Sequence, residues 1–179
     1  MNRSKVLKSI LISLILLSMC VIMSGCFGKK EEKTSYDTAI GYYFEGMGKG
    51  NYDTYKKAFP DFLIEDLDVD ESKLISTLES MKYTYGDDVK ITYDVVNEKD
   101  LSADDLSVVE NYIKMKYEKT VSISSGKQID VTENITGSKR KDSPRRTFRV
   151  YKINGEWKII GESISSMKTK IQRSQNNNN

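Results

Sequence analysis

The sequence predicts an α+β domain in which N-terminal helices pack on a curved antiparallel sheet, after a signal-peptide helix at the start of the chain. Between residues 36 and 85, apolar side chains recur every three or four residues, which is the period of a helix. Beyond residue 120, apolar and polar side chains alternate, which is the period of a strand. Asn154-Gly155 lies between two alternating stretches and is typical of a tight hairpin turn. Helices followed mainly by antiparallel strands favour the α+β class.

The first 25 residues have the pattern of a secretory signal peptide. Three basic residues stand near its start: Arg3, Lys5 and Lys8. The apolar stretch 10–23 follows, interrupted by two serines, and small residues come after it. A membrane-spanning helix needs about 20 apolar residues, so this stretch is short for an uncleaved anchor. An uncleaved anchor and plain secretion stay open as alternatives.

The small residues Ser24 and Gly25 directly precede Cys26, an arrangement that resembles the lipobox of bacterial lipoproteins. Met23 stands where that family usually has leucine, and Cys20 is a poorer candidate because a large residue precedes it. The resemblance implies cleavage between Gly25 and Cys26 and a diacylglyceryl group on the Cys26 thiol. Two acyl chains hold a protein stably on a bilayer. We therefore expect a lipid-anchored protein on the extracellular face of the cell membrane.

The composition sets limits on the exported part of the chain. Removal of 25 residues from 179 leaves 154, a length that suits one domain with its own core. The net charge of +2 comes from the leader, which has three basic residues and no acidic one, so a nucleic-acid partner is not predicted. The sequence has no histidine and two cysteines, one in the leader and one at the lipidation site. A disulfide framework and a thiol nucleophile are therefore excluded, and no cofactor is predicted.

Residues 26–35 are polar, charged and without periodicity, which predicts a flexible tether. The domain itself is predicted over residues 36–166. Its first helix carries one apolar stripe, which comprises Tyr36, Ile40, Tyr43, Phe44 and Met47. Ser35 is placed to cap the start of this helix. Three glycines are placed to end it: Gly46, Gly48 and Gly50.

A second, short helix is predicted between Asn51 and Pro60, where aromatic residues stand three and four apart. The acidic stretch 61–71 follows as a connector. Asp68 and Glu71 have capping-box spacing, so we expect Asp68 to cap a third helix. The stripe and the end of that helix are formed by Leu74, Leu78, Met81, Tyr85 and Gly86.

A first strand is predicted over residues 89–95, where apolar and polar side chains alternate. Ser102 has Asp105 three residues on and is placed to cap a fourth helix. The apolar stripe of this helix comprises Leu106, Val109, Ile113 and Tyr117. One helix is therefore expected between the first strand and the rest of the sheet.

Further strands are predicted over residues 121–135, with a turn or bulge at Gly126, and on both sides of Asn154-Gly155. Residues 137–146 form a polar loop between these strands. Residues 167–179 lose the pattern and end in four asparagines, so they are predicted to be a disordered polar tail.

Two short motifs carry a resemblance that covers the whole domain. One is Gly50-Asn51-Tyr52 with Phe59-Pro60 after it, and the other is the hairpin over residues 150–159. With these motifs, residues 36 to about 164 are similar to small Gram-positive envelope lipoproteins whose exported domain resembles nuclear transport factor two. The resemblance implies a cone-shaped, cystatin-like fold, which often encloses a ligand pocket. The predicted helix over residues 102–117 departs from the simplest form of that fold.

The acidic stretch invites comparison with a calcium site, since Asp66, Asp68 and Asp70 stand two residues apart as in an EF-hand loop. That loop needs glycine at its sixth position and glutamate at its twelfth, where this sequence has Glu71 and Thr77. We therefore predict no metal site and expect these acids to complement the N-terminus of the third helix. Weak surface binding of calcium is the alternative.

Six basic residues cluster around the polar loop: Lys139, Arg140, Lys141, Arg145, Arg146 and Arg149. The segment Lys139 to Arg149 is a candidate contact for anionic lipid headgroups or wall polymers. Each basic residue near a charged membrane contributes about 1 kcal/mol to such binding. An ordinary solvated loop is the alternative.

The sequence contains no phosphate-binding loop, no nucleophile elbow and no paired-cysteine motif, so no catalytic residue is predicted. Four carboxylates lie on elements where one can point inward: Asp94, Glu110, Glu118 and Asp130. We expect a tethered domain that binds a ligand or a protein partner without catalysis. Two alternatives stay open, an isomerase- or dehydratase-like enzyme that uses a buried carboxylate and a tyrosine, and a structural envelope component.

Overall fold

Six helices and five strands form the part of the chain that the computed structural model describes, residues 35–66 and 68–177. Helices precede and flank an antiparallel sheet, so the predicted α+β class is confirmed. The predicted signal peptide, the predicted cleavage site at Gly25 and Cys26, and all of the predicted tether except Ser35 lie outside the described residues. None of the described helices has both the length and the hydropathy needed to cross a bilayer.

The strands are β1 Lys90–Asp100, β2 Ile123–Thr136, β3 Lys141–Asp142, β4 Arg145–Ile153 and β5 Glu156–Ile159. They form an antiparallel sheet in the order β1-β2-β4-β5, and the short β3 pairs with the end of β2. Gly126 continues the ladder of β2, and the irregularity lies between Ile123 and Ser125 instead. Asn154 and Gly155 join β4 to β5 with φ angles of 51° and 93°, which confirms the predicted hairpin.

The helices are α1 Tyr36–Lys49, α2 Tyr52–Tyr55, α3 Asp61–Glu65, α4 Glu71–Tyr85, α5 Ala103–Tyr117 and α6 Ile164–Asn177, and a 3-10 turn over Lys56–Ala58 extends α2. The stripe of α1 packs on the sheet, where the Phe44 ring stacks on that of Tyr93 at 4.7 Å and meets that of Phe148 at 5.6 Å. The helix ends at Gly50, whose φ is 61°. Ser35 occupies the N-cap position, but its side chain makes no capping hydrogen bond.

Part of the predicted acidic connector is a helix instead. Residues 61–65 form α3, in which Phe62 and Leu63 are buried. The Phe62 ring lies 4.8 Å from that of Tyr117 in α5. This packing stabilises α3. The helix is not predicted from the sequence because the acidic residues around Phe62 and Leu63 are typical of a connector.

The start of α4 differs from the prediction by two residues. Asp70, not Asp68, caps this helix, because Asp70 Oδ1 accepts the Lys73 N–H at 2.8 Å. Asp68 Oδ2 instead accepts hydrogen bonds from Lys116 at 2.6 Å and from Tyr117 at 2.7 Å. Asp68, which the capping-box spacing predicts as the cap of this helix, therefore binds Lys116 and Tyr117 of α5 instead.

Helix α5 lies on the opposite face of the sheet from α1. Ser102 caps it as predicted, because Ser102 Oγ accepts the Asp105 N–H at 3.2 Å. Leu106 of α5 packs so closely over Gly126 that a Cβ there would lie 2.7 Å from the leucine side chain. Gly126 pairs with Tyr151 of β4. Tyr151 lies three residues after Phe148, which contacts Phe44 of α1, so Tyr151 and Phe148 point to opposite faces of the sheet. Helices therefore cover both faces of the sheet, α1 on one and α5 on the other.

The C-terminal segment corrects the prediction of a disordered tail over residues 167–179. Residues 164–177 form α6, which packs against α5. Met167 is completely buried, and Ile164 and Ile171 pack against the core at helical spacing. The polar residues between them hide this narrow stripe in the sequence. The domain consequently extends to residue 177 instead of ending at residue 166.

Candidate functional site

A cavity of about 750 Å³ lies at the outer edge of β4, and residues of α1, α2, α4, α5 and α6 line it. The β5 strand pairs with β4 only over residues 150–153, so the preceding part of β4 has an open edge that the cavity occupies. Five aromatic residues line the cavity: Tyr43, Tyr55, Phe59, Tyr117 and Phe148. Cavities of roughly 300–1,000 Å³ with aromatic walls and a few polar groups are typical of small-molecule sites.

Tyr43 is the centre of the aromatic wall. Its ring centroid lies 5.0 Å from that of Phe148, 5.2 Å from that of Tyr55 and 6.1 Å from that of Phe59. Such contacts between rings stabilise a structure by about 0.5–1.5 kcal/mol each beyond the burial of area, so they hold the wall in one shape. Burial raises the pKa of Tyr43 and of Tyr55. Both hydroxyl groups therefore stay protonated at neutral pH and can donate hydrogen bonds.

A buried ion pair lies next to this wall. The Glu133 side chain is 0% exposed, while that of Arg146 is 45% exposed and lines the cavity. Arg146 donates from Nε to Glu133 Oε2 at 2.9 Å and from Nη1 to the Tyr43 hydroxyl at 3.1 Å, and its Nη2 lies 2.9 Å from Glu133 Oε2 in the ion pair. Glu133 Oε1 has no hydrogen-bond partner among the described residues. The pair fixes the position of Arg146 at the cavity surface.

Glu133 is a residue of this site that the candidate carboxylates predicted from the sequence do not include, although the alternation along β2 indicates that it is buried. Val131, Glu133 and Ile135 alternate with polar residues along β2 and share one buried face. A carboxylate within an apolar series is costly unless a partner compensates its charge. The partner, Arg146, lies on the neighbouring strand and also lines the cavity.

Within the described chain, the three carboxylates that line the cavity are held in ion pairs. The pairs are Asp68 with Lys116 at 2.6 Å, Asp70 with Lys73 at 3.1 Å and Glu162 with Lys170 at 2.7 Å. Burial raises the pKa of Asp68 and of Glu162, but hydrogen bonds from lysine and hydroxyl groups outweigh it, and the net pKa is lowered. Hydrogen bonds from Ser72 and Lys73 lower the pKa of Asp70 to about 2. All three groups are therefore ionised at neutral pH.

A second arginine of β4, Arg149, completes the polar lining. Its guanidinium makes no hydrogen bond or salt bridge within residues 35–66 and 68–177. Its carbonyl oxygen accepts the Ile160 N–H at 3.1 Å, which fixes the backbone where the β5 ladder ends. With five basic and three acidic residues, the described lining carries more positive than negative charge.

The four carboxylates that the sequence offers as candidate acids or bases do not line this cavity. Three of them accept hydrogen bonds: Asp94 from Asn134 Nδ2 at 2.7 Å, Glu110 from the Ile123 N–H at 2.8 Å and Asp130 from Thr147 Oγ1 at 2.7 Å. The fourth, Glu118, directly follows α5 and has a φ of 55°. The first three contacts join neighbouring strands or join α5 to the sheet. Their geometry is that of structural hydrogen bonds.

The segment Lys139 to Arg149 is predicted as a loop, but it contains β3 and the first five residues of β4. Two of its basic residues make local contacts, since Arg140 pairs with Asp142 at 2.8 Å and Lys139 donates to the Tyr83 carbonyl at 3.2 Å. Arg146 and Arg149 line the cavity. Lys141 and Arg145 are exposed. A contact between this segment and anionic headgroups or wall polymers stays a prediction.

The acids of residues 61–71 are turned toward different partners. Asp66 and Asp68 both approach Lys116, at 4.0 Å and 2.6 Å, while Asp70 caps α4. Within the described ranges, no three His, Cys, Asp or Glu side chains converge as a metal site would require. Of these acids, Asp70 has the role that the sequence analysis expects near the start of α4.

No protein-family model matches the chain, and no curated protein is significantly similar to it. Its function is therefore inferred from the cavity and from the sequence of residues 1–26.

Proposed function

We propose that this protein is a membrane-anchored extracellular lipoprotein whose domain binds a small molecule, without catalysis, in the cavity beside β4. The observation that carries the proposal is the cavity itself, with a volume of about 750 Å³, an aromatic wall and oriented charged groups. The cavity is open to solvent on one side, so a ligand can enter it, and its size and aromatic lining are those of a small-molecule site.

The anchor in this proposal rests on the sequence of residues 1–26. A lipid on Cys26 and the ten residues from Cys26 to Ser35 would hold the domain near the membrane while it turns freely. Binding would then occur outside the cell, on molecules that reach the outer membrane face.

Binding without catalysis is favoured by the state of the carboxylates. A general acid that works near neutral pH needs a raised carboxyl pKa, usually produced by an apolar environment. The pKa values of Asp68, Asp70 and Glu162 are lowered, and each carboxylate is committed to a lysine. The enzymatic alternative therefore has Glu133 as its one buried carboxylate, and Arg146 already binds that group.

A protein partner on the sheet surface is less well supported than a small ligand. Among the described residues, the large apolar side chains that are exposed are Ile75, Tyr83, Val95 and Val96. Only Val95 and Val96 lie on the sheet, in β1, where Asp94 and Asn134 nearby are hydrogen-bonded to each other. A protein-binding surface normally presents a larger apolar patch.

Native mass spectrometry of the protein purified from its own membrane tests both parts of the proposal. We expect the chain to begin at a lipid-modified Cys26 and to carry a small molecule. Thr77→Trp should abolish the bound mass because Thr77 lines the cavity. Thr84→Trp is the matched control, since Thr84 lies on the same helix outside the cavity lining, and each hydroxyl donates to the carbonyl four residues earlier, at 2.8 Å and 2.9 Å.

Two results would contradict the proposal. A mature chain that still begins at Met1, or an unmodified Cys26 in cells with working processing enzymes, would remove the anchor. A bound mass that survives Thr77→Trp would place the ligand outside the cavity.

A further inference from the structure

We propose that the ligand of the cavity is a small organic anion whose acidic group binds at Arg149 and Arg146 and whose carbon skeleton lies on the aromatic wall. This inference rests on the proposed function, since it names the class of molecule that the cavity takes. A carboxylate, sulfonate or phosphate group on a ring or short chain has the required chemistry.

The distribution of charge in the cavity supports an anion. The three lining carboxylates are each bound to a lysine, at distances from 2.6 to 3.1 Å, so they attract little additional positive charge. The two lining arginines remain. Arg146 is balanced by the buried Glu133, whereas Arg149 has no carboxylate bound to it in the described chain. The net attraction therefore acts on negative charge, and Arg149 is the arginine available to it, although Arg149 also lines a neighbouring cleft that contains Asp100 and Asp105.

Arg149 suits an acidic group because of its chemistry and its position. A guanidinium presents a planar fork of N–H groups that matches a carboxylate or phosphate in two parallel hydrogen bonds. The strand beneath Arg149 is fixed on one side by β2, where it pairs with Gln128, and on the other by the Ile160 N–H. The rigid strand fixes the backbone from which the Arg149 side chain extends, while binding must still order the side chain itself.

Arg146 adds directed donors without adding net charge. A guanidinium has five N–H donors, and Arg146 donates two hydrogen bonds, one to Glu133 Oε2 and one to the Tyr43 hydroxyl. The remaining N–H groups belong to a side chain that is 45% exposed and lines the cavity. The completely buried Glu133 holds this guanidinium in place before a ligand arrives.

Arg146 and Arg149 reach the same cavity because the sheet ends beside them. They lie three residues apart on β4 and so point to opposite faces of the strand. The β5 ladder stops at Val150, which leaves the outer edge of β4 open between those two faces. Tyr43, Tyr55 and Phe59 provide the apolar surface next to this edge, where a ring or chain can lie.

The matched probes 2-naphthoate and 2-naphthamide test the inference, because they share a ring system and differ in charge. Binding of each probe to the full-length protein in a nonionic detergent is measured by ligand-observed NMR, with the Thr77→Trp variant as the background. We expect naphthoate to bind at least about tenfold more tightly than naphthamide, as a lost charge-assisted hydrogen bond predicts. Arg149→Gln should lower the naphthoate affinity about tenfold and leave naphthamide unchanged.

Arg145→Gln is the matched control, since Arg145 lies on the same strand, is exposed and does not line the cavity. It should change the affinity for neither probe, and thermal unfolding checks that all variants are folded. Equal binding of both probes, with no effect of Arg149→Gln, would overturn the anion inference while the cavity stays a binding site. Binding of both probes that Thr77→Trp does not reduce would contradict the proposed function itself.

Discussion

Glu133 and Arg146 show how one buried charge organises its surroundings. The carboxylate is completely buried on the core face of β2, and the guanidinium that binds it extends to the cavity surface. Removal of one partner of such a pair leaves an uncompensated charge in the protein interior. The stability of this part of the sheet and the shape of the cavity therefore depend on the same contact.

Arg146→Ala should lower the free energy of unfolding by about 3 kcal/mol, at the low end for a broken buried pair because Arg146 is half exposed. Urea unfolding followed by circular dichroism measures this loss. Arg145→Ala, at the exposed neighbouring position, should change the stability by less than about 0.5 kcal/mol. Equal effects of the two substitutions would show that Glu133 has another source of compensation.

The carboxylates of the cavity predict how stability depends on pH. Asp68, Asp70 and Glu162 have lowered pKa values in the folded state. Their contribution is present above the unfolded carboxyl pKa, near about pH 4, and is lost as the pH falls through the folded values toward about pH 2. The urea midpoint should therefore fall across that window, and Glu162→Gln should make the fall shallower. A midpoint that stays constant between about pH 5 and pH 2 would contradict this assignment.

At the scale of single residues, the sequence predicts the Ser102 cap and the Asn154-Gly155 turn, because each depends on neighbours within a few positions. It does not predict the choice between Asp68 and Asp70 at α4. Both acids precede that helix at short range, and a lysine 48 residues away decides between them. Glu133 was missed for the same reason, since its partner lies on another strand.

The contact between α1 and α2 depends on a glycine inside α1. A Cβ on Gly46 would lie 2.4 Å from the backbone nitrogen of Tyr55, so any larger residue must push the two helices apart. Gly48, two residues later in the same helix, has no atom within 4 Å of the corresponding position. The two glycines therefore have different roles, although neither ends the helix as the sequence analysis expects.

Gly46→Ala should lower the free energy of unfolding by about 2 kcal/mol, as overpacking does, and should distort the cavity wall that Tyr55 forms. Gly48→Ala should leave the stability unchanged or raise it by up to about 1 kcal/mol, because alanine favours a helix interior. Chemical unfolding of both variants measures the difference. A larger loss for Gly48→Ala than for Gly46→Ala would be inconsistent with this helix contact.

Helix α6 is the element in which sequence and structure differ most. Its apolar stripe has three residues, Ile164, Met167 and Ile171, within a segment rich in serine, glutamine and asparagine. Polar composition of this kind usually indicates disorder, and only the packing of Met167 into the core shows otherwise. The stripes of α4 and α5 were predictable because their apolar residues are more numerous and regularly spaced.

Met167→Ala should lower the free energy of unfolding by about 3 kcal/mol, as expected for truncation of a buried side chain. Gln172→Ala, at an exposed position of the same helix, should have almost no effect. Thermal and urea unfolding of the two variants provide the comparison. A neutral Met167→Ala variant would support a disordered tail after all.

At the scale of the whole domain, the cavity results from a mismatch between elements. The β4 strand has nine residues and its partner β5 has four, so the sheet leaves an open edge that helices from both faces surround. The sequence predicts the α+β class and the elements whose apolar residues are regularly spaced, because local periodicity determines them, whereas it misses α3, α6 and β3. It does not predict the cavity, since this depends on where β5 stops and on the way in which α4, α5 and α6 approach the edge.

A crystal structure of the protein purified from its own membrane tests most directly whether the domain binds a small molecule in the cavity beside β4. We predict electron density for an organic molecule in contact with Tyr43 and Tyr55, with an acidic group at Arg149. A folded domain in which the aromatic side chains have closed the cavity, with no retained molecule, would contradict the proposal.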